Sequence, residues 1–189
     1  SFSGATQDDR GASLMPALAM VWGKKDSKHT FGVSAFGISG FGVTFPESNS
    51  NPVNMPQSMG GFGRIQSDYQ LLQVGLTYAY QVTEQLSVGL APTLNYASLK
   101  LAPNPLSSPS PTRGYPVSDK GTAFGIGAQF GIFYNSGMGI KLGASYKTPQ
   151  SFSSFDFENT YLDGSNAPNV KFKMNYPAII SAGIGYSKH

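Results

Sequence analysis

The fold is indicated by one stretch of the chain, residues 69–99, which reads YQLLQVGLTYAYQVTEQLSVGLAPTLNYASL. Its two arms, residues 69–83 and 85–99, carry no charged side chain and flank Glu84. Apolar side chains alternate with small or polar ones along both arms, and successive residues of a strand point to opposite faces. A soluble sheet with this period normally carries Lys, Glu and Asp on its outer face. The stretch therefore predicts a β-hairpin of a membrane-spanning barrel, whose strands need about 10 residues each.

The composition excludes several classes of protein. Charged residues make up 12% of the chain, against about 25% in a typical soluble domain. No apolar run approaches the roughly 20 residues of a transmembrane helix, which excludes a helical membrane protein. The absence of cysteine excludes disulfides, thiol catalysis and thiolate metal sites. The 13 Lys and Arg residues form no cluster of the kind that binds nucleic acid, so we expect no nucleic acid partner. The only histidines, His29 and His189, both lie near predicted turns, so we expect no metal, and no cofactor is expected either.

The same two-residue period and the turn residues between periodic segments predict seven strands. They lie at residues 13–23, 29–45, 66–82, 86–101, 121–134, 139–147 and 176–187. The connections alternate between short (24–28, 83–85, 135–138) and long (46–64, 102–120, 148–175). Short turns at one end and long loops at the other are typical of outer-membrane barrels, with the long loops outside the cell. The predicted fold class is all-β, an antiparallel transmembrane β-barrel.

Two places depart from the regular pattern. Pro92 lies inside a predicted strand, where it has no N–H to donate, so we expect a bulge or a local break in pairing there. Residues 36–42 break the alternation and are rich in glycine, which permits a kink or bulge.

Seven antiparallel strands do not close a barrel, because neighbours around the ring alternate in direction and their number is even. An open sheet in lipid leaves two edges of unpaired polar groups. We therefore expect the first and seventh strands to be completed by residues outside this chain. The first residues lack the pattern of a signal peptide, so we expect a processed product or a piece of a longer protein.

A set of short motifs is spread over most of the chain. It comprises Pro16-Ala17-Leu18, Phe31-Gly32-Val33, Gly40-Phe41-Gly42-Val43, Tyr78-Ala79-Tyr80-Gln81-Val82, Gln85-Leu86-Ser87-Val88-Gly89, and the segments 143–150 and 176–186. In this order and spacing, the motifs resemble the FadL/TodX family of outer-membrane transporters for long-chain fatty acids and other hydrophobic compounds. The resemblance implies a fourteen-stranded barrel with an N-terminal plug. On that fold, residues 1–189 look like one partial barrel domain, the second to eighth strands, without the plug, the first strand and the last six strands.

The resemblance also implies a function, the passive uptake of hydrophobic small molecules such as long-chain fatty acids. A ligand would be captured between the loops 102–120 and 148–175, enter the barrel and leave sideways through a break in the wall. The candidate ligand-binding residues are apolar side chains in segments expected to be solvated: Leu106, Tyr115, Phe152, Phe155 and Phe157. The candidate lateral opening lies in the glycine-rich second strand, at Gly37, Gly40 and Gly42. Lateral exit spares an apolar ligand transfer into water, at about 0.8 kcal/mol per CH₂.

Each of these assignments has a simpler alternative. The loop aromatics would also serve to pack the loops onto the barrel rim. Lys141 and Lys147 face inward and would steer a carboxylate headgroup, or they would only be solvated in the lumen. Arg10, beside Asp8 and Asp9, would contact a substrate carboxylate or form a loop salt bridge. No Ser/His/Asp arrangement, carboxylate pair or phosphate loop is evident, so an enzyme is not expected.

Three hypotheses follow. The first is an uptake channel in the outer membrane of a Gram-negative-type bacterium, with a hydrophobic ligand, membrane lipid, lipopolysaccharide and the remainder of the barrel as partners. The alternative is a non-transport surface protein, an adhesin or structural protein, on the same barrel. A soluble all-β binding module is the third, and the charge-free outward faces argue against it.

Overall fold

The computed structural model describes residues 3–187 and is built almost entirely of strands. The strands are β1 (Ala17–Gly23), β2 (His29–Phe45), β3 (Ile65–Gln81), β4 (Leu86–Ala102), β5 (Val117–Ser118), β6 (Gly121–Asn135), β7 (Ile140–Lys147), β8 (Ser151–Phe152), β9 (Phe155–Thr160), β10 (Asn166–Phe172) and β11 (Ile179–Tyr186). One short 3-10 helix covers Gln57–Met59. Within residues 3–187, no helix has the length and apolar character needed to cross a membrane.

Seven strands form one antiparallel wall in the order β1-β2-β3-β4-β6-β7-β11, which is their order along the chain. This confirms the predicted topology. Among the described residues, β1 and β11 do not pair with each other, so the wall is open. The prediction missed four short strands inside the long loops. Three of them, β5, β9 and β10, form a separate small sheet, and β8 pairs with β6.

The two faces of the wall differ as predicted. Large apolar side chains on one face are exposed, for example Leu76 (62%) and Ile126 (67%), whereas Asn95 on the other face is fully buried. The buried face is the inner one, because its side chains reach one another across the wall. Lys147 of β7 hydrogen-bonds Gln73 of β3, although two strands, β4 and β6, lie between them. Since strand side chains stand roughly perpendicular to the sheet, this contact requires that the wall curve around them.

Pro92 interrupts pairing on one side only. β4 pairs with β6 without interruption through Pro92 opposite Ala128. Towards β3, the pairs Gly75–Thr93 and Tyr78–Leu90 keep one register, but the two positions between them are unpaired. The missing N–H therefore lies on the β3 side, and the expected local break is confirmed, without a bulge.

A bulge does occur in the glycine-rich part of β2. Gly37 lies opposite Leu72 and Ser39 opposite Leu71, so Ile38 is an extra residue on β2. The ladder to β3 then continues to Phe45 opposite Ile65. The irregular sequence thus bends β2 without ending its pairing to β3.

Candidate functional site

The inner face is divided along the strands into an apolar upper part and an open lower part. At the end of the wall that carries the long loops, the segment between β7 and β11 folds inward and covers the strands. Its aromatic side chains form a core with residues of β3, β4 and β6: Tyr69, Leu71, Ala97, Leu99, Ala123, Phe152, Phe155 and Phe157. The rings of Phe155 and Phe157 are stacked with centroids 6.0 Å apart.

The expectation that the loop phenylalanines are solvated is wrong. Phe152 is 3% exposed, and Phe155 and Phe157 are fully buried. The inward glycines of β6 make this possible for Phe152 and Phe157, whose rings occupy the space of the missing side chains. A Cβ on Gly121 would lie 2.7 Å from the ring of Phe157, and one on Gly125 would lie 2.8 Å from the ring of Phe152. In this structure the three phenylalanines pack the loop onto the wall, which is the simpler alternative considered for them.

Leu106 and Tyr115 are not part of this core. Tyr115 is held by the loop between β2 and β3: its N–H donates to Oε1 of Gln57 at 2.7 Å, its carbonyl accepts from Nε2 of Gln57 at 3.1 Å, and its ring lies 6.0 Å from that of Phe62. Leu106 is 40% exposed. The five candidate ligand-binding residues therefore occupy three different environments, and ligand contact by them stays a prediction.

The two loops expected to form a capture groove are directly joined. β5, in one loop, pairs with β9 in the other. Nδ2 of Asn104 donates to Oδ1 of the buried Asn159 at 2.8 Å, and the guanidinium of Arg113 lies 4.7 Å from the ring centroid of Tyr161. With the Gln57 bridge, these contacts connect all three long loops into one cap.

One carboxyl of this cap is electrostatically stabilised. Hydrogen bonds from the hydroxyl and N–H of Ser165 lower the pKa of Asp163, and the nearby Arg113 acts in the same direction. Asp163 and Ser165 lie in the tight connection between β9 and β10, where Arg113 also donates to Oγ of Ser165 at 2.8 Å. The ionised carboxylate therefore helps to hold the end of the cap together.

A chain of buried polar side chains lies below the aromatic core. Nε2 of Gln73 donates to Oδ1 of Asn95 at 2.6 Å, and Nδ2 of Asn95 donates to Oε1 of Gln150 at 2.8 Å. The Thr93 hydroxyl donates to the same Gln150 oxygen at 2.9 Å. Gln150 in turn donates to the carbonyl of Thr148. Buried amides are costly unless hydrogen-bonded, so breaking these contacts is unfavourable. The polar chain therefore holds Gln150, at the start of the inward loop, against β4.

Both candidate lumen lysines lie on the inner face. The ammonium of Lys147 donates to Oε1 of Gln73 at 3.0 Å, at the beginning of the polar chain. Lys141 lines the open lower groove together with small residues such as Ala79, Ser87 and Gly143. Among the described residues, no carboxylate forms a salt bridge with either lysine.

The ladder between β1 and β2 ends below the glycine-rich bend. β1 pairs with β2 only up to Ala17 opposite Phe36, and one further hydrogen bond joins the Gly37 N–H to the Pro16 carbonyl at 2.8 Å. Beyond it, no backbone hydrogen bond joins residues 10–15 to residues 38–43 within the part of the chain described. The predicted interruption is therefore present on the β1 side of β2, whereas the β3 side is paired.

A cavity of about 200 Å³ lies at this interruption. Gly37 and Gly40 line it, together with Leu14, Met15, Leu71, Leu72 and Tyr96. Gly42 does not line it. The guanidinium of Arg10 lies over Gly42 instead, where a Cβ would be 2.7 Å from Nε of Arg10.

Sequence reasoning did not find the polar chain or the packing of residues 8–16 along β2. The polar chain joins residues as distant as Gln73 and Gln150, and only strand pairing brings them together. The sequence did contain a signal for part of the polar chain. Gln73, Thr93 and Asn95 lie on the inward face of the predicted hairpin at residues 69–99, and each carries a hydrogen-bonding group.

Residues 2–187 match the model of the outer membrane protein transport protein family (OMPP1/FadL/TodX). Curated proteins give no match.

Solved structures share the fold. The toluene transporter TbuX of Ralstonia pickettii is 23% identical with a TM-score of 0.69, over 90% of this chain and 50% of its own. The toluene transporter TodX of P. putida is 19% identical with a TM-score of 0.70, over 97% of this chain and 55% of its own. A CymD monoaromatic hydrocarbon channel is 20% identical with a TM-score of 0.63, over 94% of this chain and 50% of its own.

This chain spans about half the length of the solved structures it matches. Because the family model covers the chain almost from end to end, the chain belongs to the OMPP1/FadL/TodX family of outer membrane transport proteins.

Proposed function

We propose that this chain forms about half the wall of a passive outer-membrane channel for hydrophobic small molecules, which leave sideways into the membrane. The observation that carries the proposal is the interruption between residues 10–15 and β2, with its cavity of about 200 Å³. An apolar gap in a strand wall offers a ligand a path to lipid that avoids water, at a saving of about 0.8 kcal/mol per CH₂.

The size of the cavity favours a single aromatic ring over a long acyl chain. Apolar protein cavities of about 150 Å³ bind benzene, and the cavity here is slightly larger. Leu14, Met15 and Leu72 supply apolar contacts, and Tyr96 adds an aromatic ring. TbuX, TodX and CymD, whose fold the chain shares, are described as toluene transporters or as a monoaromatic hydrocarbon channel. We therefore propose monoaromatic hydrocarbons as the first substrate class to test, with long-chain fatty acids second.

The outward face suits a lipid environment. Exposed apolar side chains occur on β1, β3, β4, β6, β7 and β11, and a contiguous apolar surface of this kind requires a nonaqueous partner. We propose contact with membrane lipid and lipopolysaccharide on this face, and pairing of the free edges of β1 and β11 with the remainder of the barrel.

The capture step is proposed for the loop cap. Leu106 and Tyr115 belong to its surface loops, whereas Phe152, Phe155 and Phe157 lie beneath them. Ligand contact by the phenylalanines would require the inward loop to shift. Replacing all three by Ser is expected to reduce binding of labelled ligand, and unchanged binding in an assembled variant would reject them as a site.

Uptake by whole cells tests the function. Cells that produce the intact protein containing this chain should accumulate ¹⁴C-labelled toluene faster than cells without its gene. Equal rates in the two strains, with the protein assembled in the outer membrane, would reject the channel and favour a non-transport surface role. Parallel measurements with ¹⁴C-oleate rank the two substrate classes.

A further inference from the structure

The interrupted part of the wall is anchored at both ends. We call residues 10–15 the strap. At its lower end, the Pro16 carbonyl accepts from the Gly37 N–H, and β1 follows. At its upper end, the Asp9 N–H donates to the Thr44 carbonyl at 2.8 Å, and Oδ1 of Asp8 accepts from the Thr44 N–H at 2.7 Å. The strap therefore runs beside β2 as a bridge over the cavity.

The segment that contains the strap has the same number of residues as the part of β2 beside it. Asp9 and Ala17 are eight positions apart, as are their partners Thr44 and Phe36. Gly11 has a φ of +75°, in the left-handed region that favours glycine, and therefore departs from the extended conformation of a strand. A segment that leaves the strand conformation at this glycine does not pair with the edge of β2, while its anchored ends limit how far it can move.

One ion pair fastens the upper end across β2 to the next strand. Nη2 of Arg10 lies 2.9 Å from Oδ1 of Asp68, and the two side chains are only 19% and 28% exposed. The same nitrogen donates to Oγ of Ser13, within the strap, at 3.0 Å. Gly42, opposite Asp68 in the ladder, leaves the space through which the guanidinium passes. Lys100 of β4 also lies opposite Asp68, but the salt bridge in the described residues is with Arg10.

We propose that the Arg10–Asp68 ion pair sets the width of the lateral opening, and so limits the cross-section of the hydrophobic molecule that can leave through the wall. This inference rests on the proposed function and extends it with a size-selecting contact. Arg10 and Asp68 act as positioning residues: they hold the strap, and the strap residues Ser13, Leu14 and Met15 line the cavity. Loss of the pair leaves the upper end of the strap held only by the hydrogen bonds of Asp8 and Asp9 to Thr44. The strap can then move further from β2, which widens the opening.

The first measurement is independent of transport. In this chain, which contains no cysteine, Ser39→Cys places a thiol in the wall of the cavity. Alkylation of this introduced thiol by N-ethylmaleimide is measured in the assembled protein, with the parent protein subtracted as background. Arg10→Gln and Asp68→Asn should each raise the alkylation rate about two- to fivefold, the opening expected from losing an ion pair of modest strength.

The chain supplies a matched control. Lys171 and Asp156 form a looser ion pair at 3.8 Å, with side chains 73% and 57% exposed, between β9 and β10 in the cap. Asp156→Asn removes the same type of charge and should leave alkylation of the introduced thiol unchanged. The exchange Arg10→Asp with Asp68→Arg keeps both charges and should return the rate towards that of the parent, which a separate role for either side chain would not produce.

The second measurement is selectivity. Arg10→Gln and Asp68→Asn should raise the uptake of ¹⁴C-oleate relative to ¹⁴C-toluene, and the charge exchange should reverse this rise. Heat-modifiable gel mobility identifies the variants that assemble, and Arg10→Gln serves if Asp68→Asn does not. The proposal would be overturned if Arg10→Gln and Asp68→Asn gave the same alkylation rate and uptake ratio as Asp156→Asn. It would also be overturned if the charge exchange failed to restore the values of the parent protein. If the parent protein carries no toluene, the channel itself is rejected, while alkylation of the introduced thiol still reports on the strap.

Discussion

The ammonium nitrogen of Lys147, in the last residue of β7, lies 3.0 Å from Oε1 of Gln73 in the middle of β3. From Gln73 the donors follow one direction, through Asn95 to Gln150. A single positive charge thus begins a hydrogen-bonded chain that ends at the loop covering the upper lumen. This chain of polar side chains separates the aromatic core from the open groove below it.

Lys147→Met should distinguish between charged and neutral ligands. A unit charge at about 4 Å from a carboxylate is worth roughly 1 kcal/mol in water, or about fivefold in rate or affinity. We therefore expect uptake of ¹⁴C-oleate to fall by about that factor, while uptake of ¹⁴C-toluene is unchanged. Lys171→Met, at an exposed position of β10, is the control. Equal losses for both ligands would show that Lys147 is needed for the structure rather than for a headgroup.

Asn95→Leu should release the inward loop. The substitution removes the acceptor of the buried Gln73 amide, at about 1–3 kcal/mol, and leaves Oε1 of Gln150 with only the Thr93 hydroxyl as a donor. We expect lower stability in urea and faster tryptic cleavage at Lys171 and Lys173. Asn166→Leu, at the exposed start of β10, makes the same change outside the chain of hydrogen bonds. Identical cleavage of the two variants would mean that the polar chain does not hold the loop.

Neighbouring residues of β3 test which face meets lipid. Leu76 is 62% exposed on the outer face, and Thr77 lines an inner cavity of about 300 Å³. An arginine on the lipid face near the middle of the bilayer costs about 2–4 kcal/mol, whereas the lumen tolerates charge. Leu76→Arg should therefore impair assembly in vesicles of phosphatidylcholine, measured by heat-modifiable mobility, and Thr77→Arg should assemble. The opposite order would reverse the assignment of the two faces.

Gly40→Trp should block the exit without affecting capture. A Cβ on Gly40 would have Sδ of Met15 at 3.8 Å as its nearest neighbour, so an indole can enter the cavity without a severe clash at its base. We expect toluene uptake to fall severalfold, while binding of labelled toluene to the purified protein persists. Ala144→Trp adds the same bulk to the outer face of β7, away from the opening. Normal uptake by an assembled Gly40→Trp protein would mean that ligands do not leave by this path.

The wall could be predicted from the sequence because its signal is local. Alternation and turn residues predicted β2 at residues 29–45, as observed. They also predicted the bounds of β3, β4, β6 and β7 to within one residue. The outermost strands were predicted too long. Pro16 has no N–H with which to continue the β1 ladder, and Gly11 departs from strand geometry, so β1 begins at Ala17. β11 begins after Pro177, and Tyr176 forms only an isolated bridge with Gln150.

The candidate site was less predictable because it depends on contacts between distant segments. An apolar residue in a long loop has the same sequence pattern whether the loop is solvated or folded inward, so Phe155 and Phe157 were expected at the surface. The burial of Phe157 depends on Gly121 of β6, a residue distant in the sequence that leaves room for its ring. Arg10 and Asp68 form their ion pair only because both lie beside β2. The residues around Arg10 and those around Asp68 give no sign in the sequence that the two side chains meet.

Pro92 has a consequence for the mechanical behaviour of the wall. The two unpaired positions between β3 and β4 lie closer to the short turn than to the long-loop end of both strands, and they include Thr77 and Ala91, which face the inner cavity. Above them, the inward loop and the polar chain reinforce the wall, and below them the lumen is open. The ladder between β3 and β4 should open first at this point, so the amides of Leu76 and Thr77 should exchange with deuterium before those of the paired positions of β3 on either side. The proline inside β4 would then act as a hinge, about which the lower rim of the wall bends while the part above it stays rigid.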